Sequence, residues 1–187
     1  MKNEKEKRKR FNKPYHFLTR GKNQPAKCLA EVFQHYHLDD FREEIETWEQ
    51  LALSSGLSIY DEGAEREDLI DFVQGLHRLV EAFLLLNTEI NGREIGRTLK
   101  SLSEDARKLI SEMNVPVALT SEQKENPRSV IKQFTQRFKQ SYAELELLDL
   151  LDAVVTYDGD KEVHKVNLVL FYQHLNYLIK LAYTEDL

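Results

Sequence analysis

Residues 64–90 read AEREDLIDFVQGLHRLVEAFLLLNTEI, and the spacing of their apolar side chains decides the fold class. Ile70, Val73, Val80 and Leu84 fall on one helical face, and Leu69, Leu76 and Phe83 on another. Two adjoining apolar faces on one helix require partners on both sides, so this segment predicts a central, largely buried helix. Glu65, Glu67 and Asp68 enrich its first turn, where the helix dipole favours acids. Asn91-Gly92 follows, with Glu94 three residues after Asn91, and predicts that the long helix stops and a second starts.

The same periodicity extends on both sides. Leu29, Val32, Phe33 and Tyr36 predict a helix over 26–37, just after Pro25. Asp39 is the expected N-cap of a helix over 40–54 that turns Phe41, Ile45, Trp48 and Leu51 inward. Ser103 with Glu104 and Asp105 opens a helix to about Met113, and 114–126 reads as the longest internal loop. Asn126-Pro127 is an N-cap followed by proline at the first helical position. It opens a helix expected to run unbroken over 127–156. Tyr157-Asp158-Gly159-Asp160 is a turn, and a last apolar helix is expected over 161–183. All four prolines lie outside the apolar-periodic segments. No segment alternates as a half-buried strand would; Val115–Leu119 and Val163–Tyr172 come nearest. The expected fold is therefore all-α: a single compact bundle of six or seven helices over 25–187, with a basic, partly disordered N-terminal extension over 1–24.

Composition agrees. Leu, Val, Phe and Ile make up 55 of 187 residues, well above the roughly 20% that marks wholesale disorder. A single cysteine excludes a disulfide framework and a cysteine-based zinc site. The longest uncharged stretch, 166–179, falls short of the roughly 20 residues that span a bilayer and contains Asn167, Gln173, His174 and Asn176. No apolar run of about 7–15 residues follows the basic start, and Glu4 and Glu6 are foreign to transit peptides. A cytoplasmic setting is expected.

The net charge of −6 conceals an asymmetry: residues 1–27 hold ten Lys/Arg and two acids, a balance of +8, leaving −14 on residues 28–187. Lys7, Arg8, Lys9, Arg10, Lys13, Arg20 and Lys22, interleaved with Tyr15, His16 and Phe17, form the one composition here that suits nucleic acid. Cations neutralise phosphates and aromatic rings stack on unpaired bases. The same arm suits an acidic membrane surface, or the acidic body of this or a neighbouring chain.

The phosphate-binding patterns GxxxxGK[ST] and GxGxxG are absent, as are the GxSxG elbow and HExxH. Gly92 and Gly96 are expected at a helix end and in close packing. Cys28 and His35 lie about 10 Å apart along a helix, too far for a nucleophile–base pair, so an inert buried thiol is expected. His35, His37, Asp39 and Asp40 form the one His/acid cluster and read as helix-end polar residues. His77 falls on an apolar face, with Glu81 one turn later expected to hold it. His164 and His174, near Asn167, Asn176 and Lys180, are expected to join a buried polar network. Glu43, Glu44, Glu46, Asp68 and Asp71 read as a solvated face. A helix-turn-helix over Arg93–Lys100, with Arg93, Arg97 and Lys100 on one side, lacks a separable first helix.

The function expected is thus a non-enzymatic helical interaction module that binds a protein partner or itself as a homo-oligomer, with no cofactor and no metal. The alternative is a nucleic-acid-binding accessory or regulatory protein acting through residues 1–24. A third reading is an enzyme assembled from His77, His164 and His174.

Overall fold

The computed structural model describes residues 24–56, 58–60, 62–159 and 165–184. Among these it is all-α, with eight helices and no strand. The helices are α1 (Pro25–His35), α2 (Leu38–Ser54), α3 (Gly63–Lys100), α4 (Glu104–Glu112), α5 (Ser121–Glu125), α6 (Pro127–Arg137), α7 (Gln140–Thr156) and α8 (Lys165–Ala182). One apolar core joins α1, α2, α3, α6, α7 and α8 into a single bundle, and α4 and α5 add no buried residue to it. α3 is the hub and packs against α1, α2, α5, α6, α7 and α8. Its buried side chains include members of both sequence-derived faces: Val73 and Val80 on one, Leu69, Leu76 and Phe83 on the other.

Three boundaries differ from the sequence reading, each for a tertiary reason. α3 does not break at Asn91-Gly92 but runs as 38 residues to Lys100. Asn91 serves as a stitch rather than a cap: its Nδ2 donates to Ala26 O at 3.2 Å and to Asn87 Oδ1 at 2.8 Å, tying the first turn of α1 to α3. The helix expected over 127–156 is two helices. Phe138 leaves helical geometry (φ −106, ψ 135) and turns its ring into an aromatic cluster with Phe72, Phe134 and Tyr142. The carbonyl freed there accepts the Tyr183 hydroxyl at 2.8 Å, so it does not go unpaired at the break. α2 begins at Leu38 with His37 as N-cap, and Asp40, not Asp39, closes the capping box by accepting His37 N at 2.6 Å.

Smaller differences follow. The loop expected over 114–126 contains the short helix α5, capped by Thr120. The merger at Asn91-Gly92 removes one of seven expected helices, and α5 and the split at Phe138 add two, which makes eight among the described residues. Val115–Leu119 is a loop, not a strand. Ser103 and Asn126 cap α4 and α6 as expected, accepting Ala106 N and Ser129 N.

Candidate functional site

The most elaborate polar arrangement among the described residues is built on Glu81. Its side chain is 1% exposed, in the middle of α3 between Val80 and Ala82. Oε1 accepts Arg42 Nη2 at 3.0 Å and Val117 N at 2.9 Å; Oε2 accepts Ala118 N at 2.8 Å and Leu119 N at 3.1 Å. Three consecutive backbone N–H groups converging on one carboxylate, with a guanidinium beside it, are what a buried charge requires. Arg42, on α2, completes the arrangement by also donating to Asp39 and to the carbonyl of Val115. Asn114 fastens the other end of the loop: its Oδ1 accepts Leu38 N at 3.1 Å, and its Nδ2 meets His37 Nδ1 at 3.1 Å. Loop 114–120 is thus clamped across α2 and α3.

A cleft of about 320 Å³ opens beside the clamp, lined by Arg42, Glu46, Gln74, His77, Arg78 and the loop at Val117 and Ala118. His77 is not held by Glu81, contrary to expectation, because the loop amides and Arg42 occupy that carboxylate. Burial pushes the His77 pKa down; Glu46 and Glu81 oppose this and Arg42 reinforces it. His77 therefore favours the neutral imidazole.

The other histidines sit elsewhere. His174 is buried in the core, its Nδ1 hydrogen-bonded to Leu170 O at 2.7 Å, its ring 5.0 Å from Tyr36 and 5.5 Å from His35. His164 lies outside the described residues, so the network expected with it has no structural counterpart here. His77 and His174 occupy separate surroundings. His35 Nδ1 bonds its own helix at Glu31 O, and Cys28 is buried on the core side of α1. Among the described residues no group of three or more His, Cys, Asp or Glu side chains gathers as a metal site.

The expected solvated carboxylates divide. Glu43, Glu46 and Asp68 are exposed. Glu44 accepts the Trp48 indole at 3.0 Å, and Asp71 pairs with Arg137 at 2.6 Å. Gly92 and Gly96 play neither expected role: both lie within α3, and a Cβ at either would meet nothing within 4 Å. Arg93, Arg97 and Lys100 are exposed on the last turns of α3, so they do not lie on a separate helix. α4 follows across Ser101–Ser103 with no buried residue.

Sequence reasoning missed a surface on α7. Leu145, Leu148 and Val155 are 56, 48 and 44% exposed, and Val169 on neighbouring α8 is 56% exposed. The first three share a face at i, i+3 and i+10 spacing. Glu144, Asp149 and Asp152 accompany them, and α7 holds no Lys or Arg. The signal was available in ELELLDLLDAVV: its apolar residues are too many for one buried stripe.

The basic residues Lys7, Arg8, Lys9, Arg10, Lys13, Arg20 and Lys22 lie outside the described residues. Among the described residues, no helix is long and apolar enough to cross a membrane. Compared with protein-family models, with curated proteins and with solved structures, the chain matches none.

Proposed function

We propose that the protein is a non-enzymatic helical interaction module of the cytoplasm, and that its contact surface is the outer face of α7 and α8. The observation that carries this reading is the exposed stripe of Leu145, Leu148 and Val155 on α7, an acidic helix without a single cation, with Val169 exposed on neighbouring α8. Neighbouring apolar side chains left in water favour burial against a partner. The acids beside them select a basic one. The matching occupant is a basic segment that also carries apolar and aromatic side chains, and the chain holds one itself between Lys7 and Leu18. The module therefore binds its own N-terminal extension, from the same or a neighbouring copy.

The test is anisotropy of a labelled peptide of residues 1–24 titrated with the full chain and with its Leu148→Lys variant. Saturable binding that weakens with salt and is lost in the variant supports the reading. No saturation, or equal binding by the variant, rejects it. Light scattering of the full chain over a concentration series then separates docking within one copy from association of two.

The alternative reading, a nucleic-acid-binding accessory or regulatory protein, is supported by the +8 balance of residues 1–27. Labelled single-stranded DNA and RNA at about 50 and 200 mM salt test it, because phosphate-driven affinity falls steeply over that range.

A further inference from the structure

α4 is an amphipathic helix that no other described helix covers. Ala106, Leu109, Ile110 and Met113 recur at i, i+3, i+4 and i+7, the spacing of a helix that buries one side. Yet α4 holds no buried residue, and none of the main helix pairings among the described residues includes it. A helix of nine residues is marginal in water by itself. It is fixed from its ends instead. Residues 101–103 join it to α3. At its other end Met113 O accepts Asp39 N at 3.1 Å, and Asn114 Nδ2 donates to Ile110 O at 2.8 Å. The helix stands in a set position with its apolar side open.

The open surface continues past α4. Leu109, Val115 and Val117 are 57, 48 and 67% exposed. The two valines ride on the loop that Arg42 and the buried Glu81 hold in place. From Thr88 to Ala118 no side chain is buried. A core ion pair that positions exposed valines makes a fixed apolar surface, and fixing a surface beforehand lowers the entropy cost of association.

The charges of this stretch point to its occupant. Residues 28–187 balance at −14, but 88–118 hold five Lys/Arg and five acids, a balance of zero. A second copy therefore meets less repulsion here than against the acidic body as a whole. The two signs are also sorted. Arg93, Arg97 and Lys100 share one side of α3 at i, i+4 and i+7, and Glu104 and Asp105 open α4. All five are exposed, and among the described residues none of them forms an ion pair. A cationic strip and an acidic turn that are not joined within one chain complement those of a second copy across a two-fold axis.

We propose that the chain forms a two-fold homodimer through α4, the end of α3 and the loop valines Val115 and Val117. The apolar sides of the two α4 helices meet, and Arg93, Arg97 and Lys100 of each copy face Glu104 and Asp105 of the other. These are other helices than the α7–α8 stripe, and the dimer does not rest on docking there.

The test is sedimentation equilibrium over a concentration series, on the full chain carrying Leu148→Lys, which removes docking at the α7–α8 stripe. A reversible dimer is expected. Adding Leu109→Lys is expected to raise the dissociation constant about tenfold or more. The pair Arg93→Glu and Arg97→Glu, and the pair Glu104→Lys and Asp105→Lys, are each expected to abolish the dimer alone, and an equimolar mixture of the two chains to restore it. All five positions are exposed, and circular dichroism checks that each chain is folded. A Leu148→Lys chain that stays monomeric overturns the proposal and leaves α4 to a different protein. A dimer indifferent to Leu109→Lys, or a mixture of the charge variants that does not pair, overturns it too.

Discussion

Arg42 on α2 and Glu81 on α3 meet at 3.0 Å, and between them they fix a loop that belongs to neither helix. Glu81 collects the amides of Val117, Ala118 and Leu119, while Arg42 reaches the carbonyl of Val115. Removing the carboxylate leaves three loop N–H groups with no acceptor and takes one partner from Arg42, which keeps Asp39 and the Val115 carbonyl. Glu81→Ala is expected to cost about 3–5 kcal/mol. Glu81→Gln keeps one acceptor oxygen but turns an NH2 group towards donors, and is expected to cost somewhat less. Urea denaturation measures both, and limited proteolysis should show new cleavage in 114–120. A Glu81→Gln variant within about 0.5 kcal/mol of the parent protein would show that the loop does not depend on this clamp.

The glycines of α3 divide by their surroundings. A Cβ at Gly75 would come within 2.8 Å of the Phe138 ring, which is itself packed in the core, whereas a Cβ at Gly92 or Gly96 meets nothing within 4 Å. Gly92→Ala and Gly96→Ala are each expected to stabilise by about 0.5–1 kcal/mol through helix propensity alone. Gly75→Ala gains the same propensity but forces the ring to move, for a net loss of about 1–3 kcal/mol. Denaturation midpoints of the three variants decide this. Stabilisation by all three would mean that Phe138 yields freely.

The contrast between Gly75 and Gly92 also marks how far the sequence could be read. Periodicity of 3.6 predicts helix wherever a face is buried, so the all-α class and the position of each main helix were legible. Long-range contacts were not. Asn91-Gly92 carries every local sign of a helix end, yet the bond from Asn91 to Ala26 belongs to another helix. Phe138 lies inside an unbroken helical pattern, yet its ring and its carbonyl find partners on α3 and after α8. Asp39 is a good N-cap in isolation, but Asn114 positions His37 instead. Glu81 was visible as the one acid inside LVEAFLLL, but its partners lie far along the chain.

Glu146 yields a pH prediction with one sign. Its side chain is buried on α7, facing the phenols of Tyr60 and Tyr142, and its Oε1 makes no hydrogen bond among the described residues. Burial pushes its pKa up, against the pull of the two tyrosines. The folded protein then binds the Glu146 proton more tightly than the unfolded chain does. Stability from this group therefore falls as pH rises from the ordinary carboxylate range through the raised value. Glu146→Gln is expected to be more stable than the parent at pH 7 by about 1 kcal/mol, with the advantage disappearing towards pH 4. Chemical denaturation at the two pH values measures the difference; an equal advantage at both would assign it to packing rather than to charge.

His174 works in the opposite direction at higher pH. Its Nδ1 donates to Leu170 O in the neutral ring, and burial, with His35 5.5 Å away, pushes its pKa below the usual histidine value. His77, in the cleft beside Glu81, is lowered by burial as well. For both groups the unfolded chain binds more protons than the folded one between the lowered values and about pH 6.5, so stability is lost as pH falls through that window. In the Glu146→Gln background, where the opposing carboxylate is gone, the melting temperature should decline from pH 7 towards pH 5.5. His174→Asn keeps a side-chain donor but cannot be protonated, and it should flatten this decline even if it lowers the melting temperature at pH 7. His77→Gln should flatten it independently, because the two rings have different neighbours and their effects should add. An unchanged slope in the double variant would place the acid sensitivity elsewhere in the bundle.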